Sequence, residues 1–256
     1  FFSRVILPES AALFLVFLAI FCHYLYAHKN NRWRFLPYSL SLVFFAAAIL
    51  VKPTTIFYGL PLFYLFIKKF KVTVFKKAEF YLYFILALLP FAWWRNYIQA
   101  YPQGVPASEW LLFSVNTATG LQKIFFRPSF FRWIFFERIN NIIFGGLACA
   151  FFIIGIFRKQ KNLFLPSILV AAFAYVFTFQ GGNLQHAYYQ TLILPALAIF
   201  AGIGIDTIIN QQKIFLHSFL STVAVVAILA LSWFFSYYTV KDYYNYSQDL
   251  INIAKI

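Results

Sequence analysis

The chain has 256 residues, 62% of them hydrophobic and only 11% charged, with a mean hydropathy of +0.75, which excludes a water-soluble globular domain. A formal charge of +14 would suggest nucleic acid in a soluble protein. Here the basic residues punctuate apolar runs instead of forming one patch, so they read as topology signals, with no nucleic-acid partner.

The runs approach the ~20 residues that cross a bilayer as a helix, and they are continuous rather than alternating. Hydrocarbon leaves backbone groups no water to bind, so such runs are expected to be helical. The fold class that follows is all-α, a polytopic transmembrane bundle of about eight segments with one long external loop that contains an interfacial helix. Residues 1–256 are expected to form one such domain.

The first span runs from about Glu9 to Tyr26, followed by a basic turn with His28, Lys29, Arg32 and Arg34. Leu36 to Ile67 is too long for one span, and Lys52, Pro53 and Thr54 interrupt it, so two short helices are expected to meet there near the external surface. Lys68, Lys69, Lys71, Lys76 and Lys77 form the densest positive cluster and the strongest inside marker. Phe80 to Trp94 crosses outward into a long external segment, Arg95 to about Phe136. Crossings follow at Ile139 to Phe157, Leu163 to Phe179 and Thr191 to Ile209, with Gln180 to Gln190 as an external loop between the last two. Phe215 to Phe235 returns outward and leaves an external tail, Tyr237 to Ile256. Cys22 and Cys149 fall inside apolar runs, where packed thiols are expected rather than a disulfide. The opening at Phe1, with no Met and no signal-peptide pattern, reads as an internal fragment.

Several polar residues stand against this background. Glu9 follows Pro8 at the external start of the first span. It is either an acidic residue favoured by the helix dipole or a boundary carboxylate able to bind a divalent cation, orient a phosphate or deprotonate an acceptor hydroxyl. Lys52 in ILVKPTT needs a cavity or an anion. The stretch RPSFFRWIFFERI joins arginines to an aromatic belt and reads as an interfacial helix anchored by Phe130, Trp133, Phe135 and Phe136, at the depth where guanidinium groups clamp a phosphate ester. Arg95, Lys123, Arg127, Arg132 and Arg138 all lie on the external side, against the usual charge preference. In QGGNLQHAYYQ, Gly181 and Gly182 permit a tight turn, and His186, Tyr188 and Tyr189 offer donors and ring faces for a sugar. Nucleotide-binding loops, metalloprotease pairs and cysteine zinc patterns are absent.

The order SRVILPES, AAAILVKPTT, LPFAWWRNYIQAYPQGVPASEWLLF, RWIFFERI and HAYYQTLILPALAIFAGIG resembles bacterial GT-C glycosyltransferases. The nearest group is the dolichyl-phosphate-mannose protein mannosyltransferase-like family, which includes the lipid A aminoarabinose transferase. The resemblance covers essentially the whole chain. It implies an enzyme of the bacterial inner membrane that transfers a sugar, with inversion, from a polyprenyl-phosphate donor to a lipid, glycan or protein acceptor on the periplasmic side. It also implies that the main catalytic Asp lies ahead of Phe1, and that Glu9 matches a second acidic position and is a catalytic candidate. Lys52, Arg95, Arg127, Arg132 and Arg138 become phosphate candidates, His186, Tyr188 and Tyr189 headgroup candidates, and Glu109 a further substrate-binding candidate. No cofactor is implied beyond a divalent metal ion as one option, held by Glu9. Membrane lipids are the remaining expected partners. An O-antigen polymerase or ligase, or a transporter of lipid-linked sugars, are the alternative readings.

Overall fold

A backbone segment surrounded by apolar side chains can satisfy its own amides within one segment only by coiling, and most of the described residues do so. The computed structural model describes residues 8–28, 34–101, 127–210 and 218–241, and no strand occurs among them. In chain order the helices are α1 (Pro8–His28), α2 (Phe35–Val51), α3 (Gly59–Phe70), α4 (Ala78–Ile98), α5 (Pro128–Phe131), α6 (Cys149–Phe157), α7 (Phe164–Thr178), α8 (Gln180–Gln185), α9 (Leu194–Asn210) and α10 (Ser218–Val240). Tight 3₁₀ turns cover Pro53–Tyr58, Lys71–Lys76 and Ala187–Ile193, and a wider π-type helix covers Arg132–Ile143. Among the described residues three stretches are long and apolar enough to cross a membrane: Pro8–His28, Ala187–Asn210 and Ser218–Val240. Phe35–Val51 and Phe164–Thr178 are apolar but shorter.

The described residues fall into two compact units, with the division inside α9 after Ala196. In the first, which holds 8–101, 127 and 160–196, α1 packs along α2 and α3, α2 on α4, and α3 on α7. The buried face of α1 repeats at helical spacing through Ala12, Val16, Ala19, Ile20 and His23. The break expected at Lys52 is present. Pro53 has no N–H and disfavours a helical residue before it, so Lys52 is extended (φ −146, ψ 102) between the end of α2 and the turn that leads into α3.

Each level of α1 carries its own polar arrangement. One turn before the C-terminal network, His23 lies among Phe66, Tyr83 and Tyr26 at ring distances of 4.3, 5.0 and 5.2 Å. Ser41 beside it donates to the Ala19 carbonyl (2.9 Å) and lies 2.6 Å from the Tyr83 hydroxyl. At the C-terminal end Tyr26 donates to the Glu79 carboxylate (2.9 Å), Tyr38 to the Glu79 carbonyl (2.7 Å), and Lys69 to the Tyr26 carbonyl (2.7 Å). Glu9 opens the N-terminal end. Glu9 and Tyr26 are 17 residues apart on this helix, about 25 Å along its axis, so the two terminal networks are separated by most of the thickness of a hydrocarbon core.

One expectation in this unit needs correction. Gln180 to Gln190 is not an exposed loop with a tight turn at its glycines. It forms α8 and the start of the 187–193 turn, with Gln180, Gly181, Gly182, Asn183 and Gln190 buried. Tyr58 anchors it by donating to the Leu192 carbonyl at 2.5 Å.

The second unit holds 128–159, 197–210 and 218–241. The crossing expected over Ile139 to Phe157 is broken: the π-type helix stops, and Gly145 (φ 56) and Gly146 (φ 77) turn the chain before α6. Only glycine takes that conformation easily, and a Cβ on Gly145 would sit 2.0 Å from the Ser232 carbonyl oxygen. Ser232 also accepts from the Ala148 N–H at 2.9 Å, fixing α10 to the turn. α6 and α9 cross through Gly155 and Gly204, where an added Cβ would lie 1.8 Å from the carbonyl oxygens of Phe200 and Phe151 respectively. Small residues at that spacing let two backbones meet, as in membrane helix pairs. Arg158 closes the same end through the Asp206 carboxylate and the Thr207 hydroxyl (3.1 Å). In the expected interfacial stretch Trp133 and Phe136 face outward, but Phe130 is buried with Ile134 and is not a lipid anchor. Cys22 and Cys149 are free thiols.

Candidate functional site

The site is built on the break that Pro53 makes. Because Lys52 leaves the helix extended, its side chain can turn toward the start of α1, where its ammonium donates to Glu9 Oε1 at 2.6 Å. Thr55 braces that conformation, its N–H and its hydroxyl both reaching the Lys52 carbonyl at 2.9 Å. Glu9 is wholly buried and Lys52 keeps 16% of its side chain exposed, so the carboxylate lies behind the cation and the cation faces out. The Lys52 ammonium is also 4.3 Å from the centre of the Tyr189 ring, a cation–π distance. Tyr189 is held in turn by its backbone, whose carbonyl accepts from the Tyr175 hydroxyl at 3.4 Å.

His186, Tyr188 and Tyr189 form one aromatic cluster at the junction of α8 and the following turn. Ring centres lie 5.2 Å apart for His186 and Tyr188, 5.3 Å for His186 and Tyr189, and 4.9 Å for the two tyrosines. The extended backbone of His186 (φ −123, ψ 112) leaves its ring exposed while both tyrosines are partly covered. Asn183 underpins the cluster. Its amide donates to the Phe179 carbonyl (2.9 Å), and Gln190 donates to both its carbonyl and its side-chain oxygen (2.9 Å each).

Several buried polar atoms in this unit make no hydrogen bond: Glu9 Oε2, the hydroxyls of Thr54 and Thr191, and both side-chain polar atoms of Gln180. Buried groups of this kind are rare, because leaving one unpaired costs about 1–3 kcal/mol; Thr54, Gln180 and Thr191 lie on the segments that carry Lys52 and the His186 cluster, while His23 Nε2 and Arg95 Nη2 are unpaired elsewhere in the unit. Thr54, Thr191 and Gln180 were not singled out from the sequence. The signal was their adjacency to Lys52 and His186 in KPTT and QGGNLQHAYYQT.

The remaining site candidates are not gathered here. Arg95 lies in the last turn of α4 with its Nη2 buried and unpartnered, Arg127 is exposed just before α5, and neither shares a hydrogen bond with Glu9 or Lys52 among the described residues. Arg132 and Arg138 belong to the second unit, where Arg132 lies 3.8 Å from the Glu137 carboxylate. Glu109 lies outside the described residues. A divalent cation at Glu9 does not fit: no group of three His, Cys, Asp or Glu side chains gathers among the described residues, and an ammonium already occupies the near face of the carboxylate.

Chemically, a cation backed by a buried carboxylate and flanked by aromatic faces suits an anionic group carried on a hydroxyl-rich, stackable body. Family models, curated proteins and solved structures were compared with the chain and none matches it, so the chemistry of these residues carries the functional argument.

Proposed function

We propose that this chain is the membrane part of a glycosyltransferase, with about eight membrane segments in a bacterial inner membrane and its site on the external side. It takes a sugar from a polyprenyl-phosphate donor and passes it to a lipid, glycan or protein acceptor. The observation that carries the reading is the Glu9–Lys52 pair under the Tyr189 ring, at the end of α1 remote from the lysine-rich turn. In such a transfer the bond between the anomeric carbon and the phosphate oxygen breaks as the acceptor oxygen attacks from the opposite face. The acceptor proton goes to a carboxylate, and the leaving phosphate gains charge. Lys52 is placed to offset that charge. Glu9, being fully buried and bonded to the ammonium, holds it in place, so it acts as a positioning residue through Lys52. His186 and Tyr188 offer a donor and a ring face to the sugar. The resemblance to GT-C enzymes assigns the proton-accepting role to an Asp rather than to Glu9.

The test is transfer of radiolabelled sugar from a panel of polyprenyl-phosphate sugars in membranes that carry the complete protein, beside Glu9→Ala and His186→Ala. Donor-dependent labelling is expected. Glu9→Ala should lower kcat more than it raises KM, and His186→Ala should chiefly raise KM. Labelling at the parent rate in both variants would remove these residues from the site. Absence of labelling with every donor, together with movement of labelled lipid between leaflets, would make the protein a transporter instead.

A further inference from the structure

At the other end of α1, the turn Lys71–Lys76 joins α3 to α4 and is entered at Lys71 with φ 53, the one non-glycine residue with positive φ among the described residues. Side chains larger than glycine adopt that conformation only where the surroundings impose it. Its effect is to drive Val74 fully inside while Val72 (86% exposed) and Phe75 (55% exposed) point out. This outward pair is held firmly. Thr73 donates to the Phe70 carbonyl (2.6 Å), the Lys77 N–H to the Val74 carbonyl (3.0 Å), and Tyr81 to the Phe75 carbonyl (2.9 Å).

Around the exposed apolar pair stand Lys68, Lys71, Lys76 and Lys77, all exposed and none in an ion pair among the described residues. The one carboxylate between Lys68 and Tyr81, Glu79, is taken by the Tyr26 hydroxyl. Ile67, Lys68, Lys71, Val72, Val74 and Phe75 line a cavity of about 390 Å³ whose walls are almost wholly apolar. The turn therefore offers an apolar recess with two ammonium groups among its lining residues, and a surplus of positive charge around it.

We propose that this turn is a binding site for an anionic phospholipid of the bilayer. Its phosphate lies between Lys68 and Lys71, and the first methylenes of an acyl chain lie against Val72, Phe75 and the cavity wall. A soluble anion would use the lysines but not the exposed valine and phenylalanine. A zwitterionic lipid would use the apolar wall but carry no net charge for the lysines to neutralise. The position fits as well: about 30 Å of α1 separates this turn from Glu9, so a bilayer with Glu9 at one interface has its other headgroup layer at the turn.

The complete protein, stripped of lipid in a neutral detergent, is titrated with dioctanoyl phosphatidylglycerol, dioctanoyl phosphatidylcholine or inorganic phosphate while its unfolding temperature is followed. Phosphatidylglycerol is expected to raise the temperature saturably and the other two to leave it unchanged. Lys68→Gln with Lys71→Gly should weaken the apparent affinity for phosphatidylglycerol by roughly tenfold or more. Glycine suits the positive φ, so Lys71→Gly alone should fold at least as well as the parent while responding less to phosphatidylglycerol. Equal shifts with both lipids, a shift with inorganic phosphate, or an unweakened response in Lys71→Gly would each overturn the proposal. A transferase assay does not enter this test, so its result is separate from that of the sugar-transfer reading.

Discussion

Replacing Lys52 by methionine would keep the length of the side chain and remove the only ion-pair partner that Glu9 has among the described residues. Glu9 has no exposed surface and its second oxygen already lacks a hydrogen bond, so the substitution strands a charge rather than merely deleting an attraction. Breaking a buried pair from one side costs about 3–5 kcal/mol. For a chain of this size that corresponds to a fall in melting temperature of roughly 6–20 °C. Glu9→Gln should cost less, about 1–3 kcal/mol, because Lys52 keeps a solvent-facing edge and the Tyr189 ring. The assay is thermal unfolding in detergent of both single variants and of Glu9→Gln/Lys52→Met together. The double variant is expected to be more stable than Lys52→Met alone, with a coupling of about 2 kcal/mol or more. Additive losses would refute the reasoning, since they would mean that the two side chains do not depend on each other.

Gly155→Ala should destabilise the second unit by about 1–3 kcal/mol or more, because its Cβ meets a backbone oxygen that cannot step aside, whereas Gly202→Ala, with nothing within 4 Å, should not be harmful; the monodisperse fraction in size-exclusion chromatography separates the two. Ser41→Ala should cost about 1–3 kcal/mol by leaving the Tyr83 hydroxyl without its partner, and Tyr83→Phe added to it should restore part of the loss, read by the same thermal unfolding. Burial pulls the Lys69 amine down to about 8, with Glu79 opposing and Arg34 assisting the shift. Because the folded value lies below the unfolded one, the contribution to stability is full above the unfolded value near 10.4 and is lost as pH falls through about 8. Amine labelling resolved by peptide should therefore give Lys69 a midpoint near 8, and a midpoint like that of Lys76 would show that burial does not shift it.

Much of the secondary structure was legible in the residue order, because apolar runs pair their own backbone groups as helices and the Lys52–Pro53 step interrupts one of them, although Pro90 sits inside α4 without ending it. α1, the α2–α3 break at Pro53, α4, α7, α9 and α10 follow from those two facts, within a few residues at each end. Local pattern misjudged the stretches where packing competes with it. Gln180 to Gln190 reads as a polar loop, yet it is helical and buried at Gln180 to Asn183 and at Gln190, because Asn183, Gln190 and Phe179 satisfy one another inside. The run from Ile139 to Phe157 reads as one span, yet it breaks at Gly145 and Gly146, where Ser232 leaves no room for a side chain.

The sequence alone determined that the chain is apolar and that its described residues are mainly helical, where the longest helices lie, and which polar residues stand out among them. Tertiary structure alone decided which of those polar residues meet. Glu9 and Lys52 are 43 residues apart, and Tyr189 comes from a different helical hairpin altogether, so no periodicity or local motif links them. Their meeting depends on the packing of α1 against α2 and the 187–193 turn, and such long-range packing is set by how whole helical faces fit together rather than by any residue's neighbours in the chain.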